Sequence, residues 1–101
     1  MASWQLVISG SKSAVATQLG SASISQATSM DSPPQVLSGI TGLAPHFAAA
    51  VASAQGQLTA LTGLAPNARV AMTGYLDTDT AAPIPATGAS RINVLVSEFW
   101  S

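Results

Sequence analysis

Apolar and polar residues alternate near both ends of the chain and follow a helical period in its middle. Trp4, Leu6 and Ile8 alternate with Gln5, Val7 and Ser9 ahead of Gly10, which predicts a strand ending at a turn. Residues 11–31 are rich in Ser, Thr, Ala and Gln. Val15 and Leu19 there share one helical face, and Ala22, Ile24 and Met30 alternate, so a helix followed by a weak strand is expected. From Ser32 the period changes. Ser32-Pro33-Pro34-Gln35 has the form of a helix start, with a capping serine, proline at the tolerant first position and glutamine completing a capping box. Val36, Ile40, Leu43, Phe47, Ala50, Val51, Ala54, Leu58 and Leu61 follow at steps of three and four, mostly one apolar stripe. Gly39, Gly42 and Pro45 interrupt it, so a short helix near 33–41 and a longer one near 44–62 are expected.

Thr41-Gly42-Leu43-Ala44-Pro45 recurs as Thr62-Gly63-Leu64-Ala65-Pro66, twenty-one residues later. Both copies have the composition of a helix stop: a left-handed glycine, a leucine folding back and a proline that prevents continuation. Beyond them the period is two. Val70, Met72, Gly74 and Leu76 alternate with Arg69, Ala71, Thr73 and Tyr75, and Ile92, Val94 and Val96 with Arg91, Asn93, Leu95 and Ser97. Antiparallel pairing of Val70 with Val96 and Met72 with Val94 joins one apolar face and sets Tyr75 beside Arg91. A one-residue slip would set apolar residues against Arg69 and Asn93. The connector from Asp77 to Ser90 is long for a hairpin. The expected fold is a single α+β domain over residues 1–101, a small antiparallel sheet with one or two helices packed on one face.

Composition narrows the function. Charged residues make up 7% of the chain, against roughly 25% in ordinary globular domains. A net charge of −1 with three basic residues offers no footprint for nucleic acid, and no such partner is expected. There is no cysteine for a disulfide, a thiolate zinc site or a nucleophile. Disorder goes with low hydrophobicity and high net charge, the reverse of this chain. The 37 uncharged positions between Asp31 and Arg69 carry prolines, glutamines and four glycines, so they hold no span of about 20 apolar residues and no membrane partner is expected. The opening segment has no basic region and only a short apolar run, so it suits a strand better than a signal peptide, and synthesis in the cytoplasm is expected.

Catalytic material is scarce. His46 opens the longer helix, either as a base or ligand or as an ordinary surface or interface histidine of the first turn. No Gly-x-Ser-x-Gly elbow is present, and nothing in the sequence brings a serine and an aspartate to His46. Asp77-Thr78-Asp79 could hold a divalent ion with loop carbonyls or could simply initiate a turn, and turn chemistry is the expectation. The glycines lack phosphate-loop spacing. No enzyme, cofactor or metal site is expected.

The back of the longer helix is more telling. Ala48, Ala49, Ala52, Ser53, Gly56 and Ala60 lie there without one charge, where a solvated helix usually carries Lys, Glu and Arg. Ala52, Gly56 and Ala60 have the four-residue spacing of close helix packing; the alternative is a plain alanine-rich exposed helix. Trp4 and Trp100, near opposite ends, either close the core or, with Phe99, anchor in a neighbour. The expected interface residues are Trp4, Ala52, Gly56, Ala60, Phe99 and Trp100.

The opening Met1-Ala2-Ser3-Trp4-Gln5-Leu6-Val7-Ile8-Ser9-Gly10 and the closing Arg69-Val70-Ala71-Met72-Thr73-Gly74 and Ile92-Asn93-Val94-Leu95-Val96-Ser97 resemble small virion proteins of tailed bacteriophages of high-GC bacteria, over about a third of the chain. The resemblance implies a non-enzymatic virion subunit present in many copies, a capsid decoration or minor capsid protein or a tail component. Its partners would be itself and other virion proteins such as the major capsid or tail protein. The rival expectation is a small dimeric ligand-binding or regulatory module with a pocket lined by Tyr75, Arg91 and Asn93.

Overall fold

The computed structural model describes residues 2–40, 42–76 and 90–100. Strand β1 (Ala2–Ser11) runs directly into helix α1 (Lys12–Gly20). Ser11 is extended, and its Oγ accepts the Ala14 amide at 3.2 Å, satisfying one of the free donors of the first turn. The buried residues of α1 are Val15 and Leu19, the pair whose spacing predicted the helix. The strand expected after it shrinks to two residues, β2 (Thr28–Ser29), and a 3₁₀ turn occupies Ile24–Gln26.

No α-helix forms near 33–41. Only a 3₁₀ turn at Leu37–Gly39 appears, and Val36, expected on the apolar stripe, is 78% exposed. A proline disfavours helical geometry in the residue before it, which here applies to Ser32 and Pro33 in succession. Glycine at 39, inside the expected helix, costs a further ~1 kcal/mol relative to alanine. The Gln35 amide donates instead to Ser29 Oγ at 3.0 Å.

Helix α2 (Leu43–Thr59) matches the longer predicted helix and buries Leu43, His46, Phe47, Ala50 and Ala54. The two copies of the repeat play opposite parts. Gly42, at φ 85° and ψ −10°, begins α2 rather than ending a helix, a left-handed cap that glycine adopts without penalty. The second copy does follow α2, but the helix closes at Ala60 in right-handed geometry, and Gly63 is small for a different reason: a Cβ there would collide with the Glu98 carboxylate.

Strands β3 (Asn67–Leu76) and β4 (Ser90–Phe99) complete a four-stranded antiparallel sheet in the order β2-β1-β3-β4. Val70 faces Val96, Met72 faces Val94 and Tyr75 faces Arg91, the register set by the alternation. β1 pairs with β3 along its whole length, from Ala2 opposite Leu76 to Ser11 opposite Asn67. The even-numbered residues of these strands face α1 and α2, and Trp4, Ile8, Val70 and Met72 join Leu43 and Phe47 in the core. Helices on one face of an antiparallel sheet make this an α+β fold. Asp77, Asp79 and the 77–89 connector lie outside the described residues.

Candidate interaction surface

The odd-numbered residues of β1, β3 and β4 form the sheet face that, among the described residues, no helix covers. Register stacks them into cross-strand rows: Ser9, Arg69 and Ser97; Val7, Ala71 and Leu95; Gln5, Thr73 and Asn93; Ser3, Tyr75 and Arg91. One apolar row thus crosses three strands between polar ones. Val7 is 49% and Leu95 61% exposed, although water-facing rows of such sheets are ordinarily polar. Phe99 closes this face at one end, and Met30, bonded through its amide to the Ser3 carbonyl, lies at the other.

Among the predicted interface residues, Phe99 and the 69%-exposed Trp100 are on the surface at the end of β4. Ala52, Gly56 and Ala60 are exposed along α2, and a Cβ on Gly56 would meet nothing within 4 Å. Trp4 is a correction. It is 0% exposed and packs at 5.1 Å between ring centroids against Phe47, because position 4 shares the helix-covered face with Leu6 and Ile8. It closes the core and has no surface left to anchor a neighbour. The two remaining sets sit on different layers: the aromatic pair ends the sheet, and the small residues lie on the helix. Ala52 also lines a groove of about 370 Å³ with Leu19, Ile24, Phe47, Ala48 and Val51, between α2 and the α1 region.

His46 corrects the expectation of a surface histidine. It is 1% exposed, edge-on to Trp4 with ring centroids 5.9 Å apart, since position 46 falls between Leu43 and Ala50 on the buried stripe. Among the described residues, Nδ1, Nε2 and the Trp4 Nε1 have no hydrogen-bond partner. Burial pushes the imidazole below its ordinary pKa of 6.5, so it is packed as the neutral ring. Gly74 makes room for both rings: a Cβ there would lie 2.6 Å from His46 Nε2 and 2.8 Å from Trp4 Nε1. Among the described residues, neither ring nitrogen meets a serine or a carboxylate.

Three further groups define the surface chemistry. Arg91 Nε donates to the Tyr75 hydroxyl at 2.9 Å across the β3–β4 ladder, the pairing read from the alternation. Beside it, Ser3, Thr73, Tyr75, Arg91 and Asn93 line an open cleft of about 380 Å³. At the opposite end of the sheet, Lys12 Nζ donates to Glu98 Oε2 at 2.7 Å and to the Gly63 carbonyl at 2.9 Å. Sequence reasoning missed this ion pair, which joins residues 86 positions apart. It also passed over the Val7–Ala71–Leu95 row, although apolar residues on the polar phase of all three strands were its signal.

Among the described residues, no three His, Cys, Asp or Glu side chains lie together, and no helix is long and apolar enough to cross a membrane. The chain matches no family model, no curated protein and no solved structure with which it was compared.

Proposed function

We propose that this chain is a non-enzymatic structural subunit that works by burying uncharged surface against neighbouring chains. The setting implied by its resemblance is a bacteriophage virion, as a capsid decoration or minor capsid protein or a tail component. The observation that carries the reading is the uncovered sheet face. Val7, Ala71 and Leu95 make an apolar row there that the folded chain leaves in water, in a molecule with only 7% charged residues to keep it soluble. Modest contacts of this kind become firm when a lattice repeats them.

Light scattering over a concentration series tests the subunit. Growth beyond the 10.1 kDa chain supports it. A monomer at every concentration that also binds no finished shell ends it. Gly56→Leu tests the helix face separately, since its side chain would enter open space. It should fold as the parent does and fail to assemble; normal incorporation would remove α2 from the contact surface.

The cleft at Tyr75, Arg91 and Asn93 favours a second reading, a small ligand-binding module. A thermal-shift panel of metabolites separates the two, because a scaffold should respond to none of them.

A further inference from the structure

The backbone alternation shows which groups on β4 are free to bond outward. In β1 the Ser3 carbonyl accepts the Met30 amide at 2.9 Å and the Ser3 amide donates to Asp31 Oδ2 at 3.0 Å, so Ser3 turns both groups towards β2. Successive residues of a strand turn to opposite edges, so the even residues of β1 turn towards β3. Trp4 opposite Gly74 then turns the even residues of β3 towards β1, and Ala71 opposite Leu95 turns the odd residues of β4 inward. Ile92, Val94, Val96 and Glu98 are left with amides and carbonyls pointing away from the sheet. Gln57 Nε2 agrees with this, donating to the Val94 carbonyl at 3.3 Å from α2, a bond from an exposed side chain that a pairing strand must share or displace. Among the described residues no strand pairs with this edge. It spans ten residues without proline or lysine, the usual guards of an open edge.

We propose that β4 pairs antiparallel with β4 of a second copy about a two-fold axis at Leu95, joining two four-stranded sheets into one of eight. The proposal rests on the subunit reading and names its partner. A second copy is the occupant because the strand is complementary to itself in one register. A two-fold axis that keeps both sets of helices on one side pairs residues of like parity, so it can centre on Val94, Leu95 or Val96. Centred on Leu95, it sets Leu95 on Leu95, Asn93 on Ser97, Val94 on Val96 and Arg91 on Phe99. Centred on Val94, it opposes Asn93 to Leu95; centred on Val96, it opposes Val94 to Glu98.

The open-face side chains agree with the antiparallel sense, since it sets Arg91 of each strand on Phe99 of the other, where a parallel pair would bring Arg91 onto Arg91. Arg91, held by Tyr75, would lay its guanidinium beside the Phe99 ring of the second copy. The Val7–Ala71–Leu95 row would continue without a break into its symmetry mate.

The chain has no cysteine, so one introduced thiol can pair only with its own copy. At the axis the two Leu95 positions form a non-hydrogen-bonded pair with Cα atoms about 4.5 Å apart, within disulfide range. Two Ser97 positions would sit four residues out of register, about 13 Å apart, and out of range. Under mild oxidation Leu95→Cys should give mostly disulfide dimer, and Ser97→Cys at least tenfold less. No dimer from Leu95→Cys, or equal yields from the two, overturns the pairing. Leu95→Lys, at an exposed position, should keep the parent's circular dichroism and, at a dilution where both chains are monomers, its melting curve, and weaken association at least tenfold in sedimentation. Association that persists undiminished in Leu95→Lys overturns the β4 edge while leaving the subunit reading intact. A parent chain that sediments only as monomer overturns the pairing, and the subunit reading then stands or falls on binding to a finished shell.

Discussion

Strand β3 lies in the middle of the sheet and faces two environments. Its even positions, Ala68, Val70, Met72 and Leu76, are buried under the helices, with Gly74 the one gap in the series. Its odd positions, from Asn67 to Tyr75, are half-buried or exposed. The helix-covered face packs into the core, and its gap at Gly74 is filled by the His46 ring from α2 and by the Trp4 ring from the neighbouring strand. The open face carries apolar residues too, but Val7 and Leu95 on it stay about half exposed. Hydrophobicity on the first face goes into folding, and on the second it remains available for association.

Substitutions on the two faces should therefore separate widely. Trp4→Ala removes the largest fully buried side chain and is expected to cost about 3–5 kcal/mol, a large part of what holds a small domain folded. Val7→Ala on the open face should change stability by no more than about 0.5 kcal/mol. Urea titrations of both variants measure the contrast, and similar losses would dissolve it.

The glycines sharpen the comparison. Gly74→Ala drives a methyl group into two packed rings and should destabilise by about 1–3 kcal/mol. Gly56→Ala adds a methyl in open space inside an exposed helix and should stabilise by about 0.5–1 kcal/mol. Opposite signs in the denaturation midpoints are the expected result.

Acid should act through the covered face. Among the charged groups on elements packed against α2, Lys12 and Glu98 bond each other at the far end of the sheet, and Arg69, Tyr75 and Arg91 belong to the open face. Burial alone lowers the His46 pKa. The unfolded chain then binds the proton more readily, so this contribution to stability is complete above pH 6.5 and is lost as pH falls from 6.5 towards the folded value. Urea midpoints between pH 8 and 5 should fall for the parent and stay level over that range for His46→Gln. A level parent curve would contradict a buried neutral ring.

The sequence made the β3–β4 register legible because period-two alternation with Arg69 and Asn93 as markers tolerates no slip. Helix α2 was equally plain from its stripe. The helix expected near 33–41 does not form, because two successive prolines and Gly39 outweigh a local capping pattern. Trp4 and His46 were legible in phase: each stands on the apolar period of its own element, and chemistry drew attention to residues that geometry had already assigned to the core. The pairing of β1 with β3 was not legible, since neither strand's pattern names its neighbour. The open edge of β4 depends on that strand order and was hidden with it.

That pairing has a consequence for the order in which the molecule is made. Each residue of β1 meets its β3 partner between 56 and 74 positions later in the chain. A chain leaving the ribosome from its amino end therefore exposes β1 before β3, and among the described residues only β2 offers it a strand to pair with until Asn67 has been joined. Closing a loop of that size costs entropy that only the completed ladder and the helix-covered core can offset. Strand β1 must wait for the 56 to 74 residues that separate it from β3 before it has a full partner, and its Val7 spends that interval without the neighbours that later frame it.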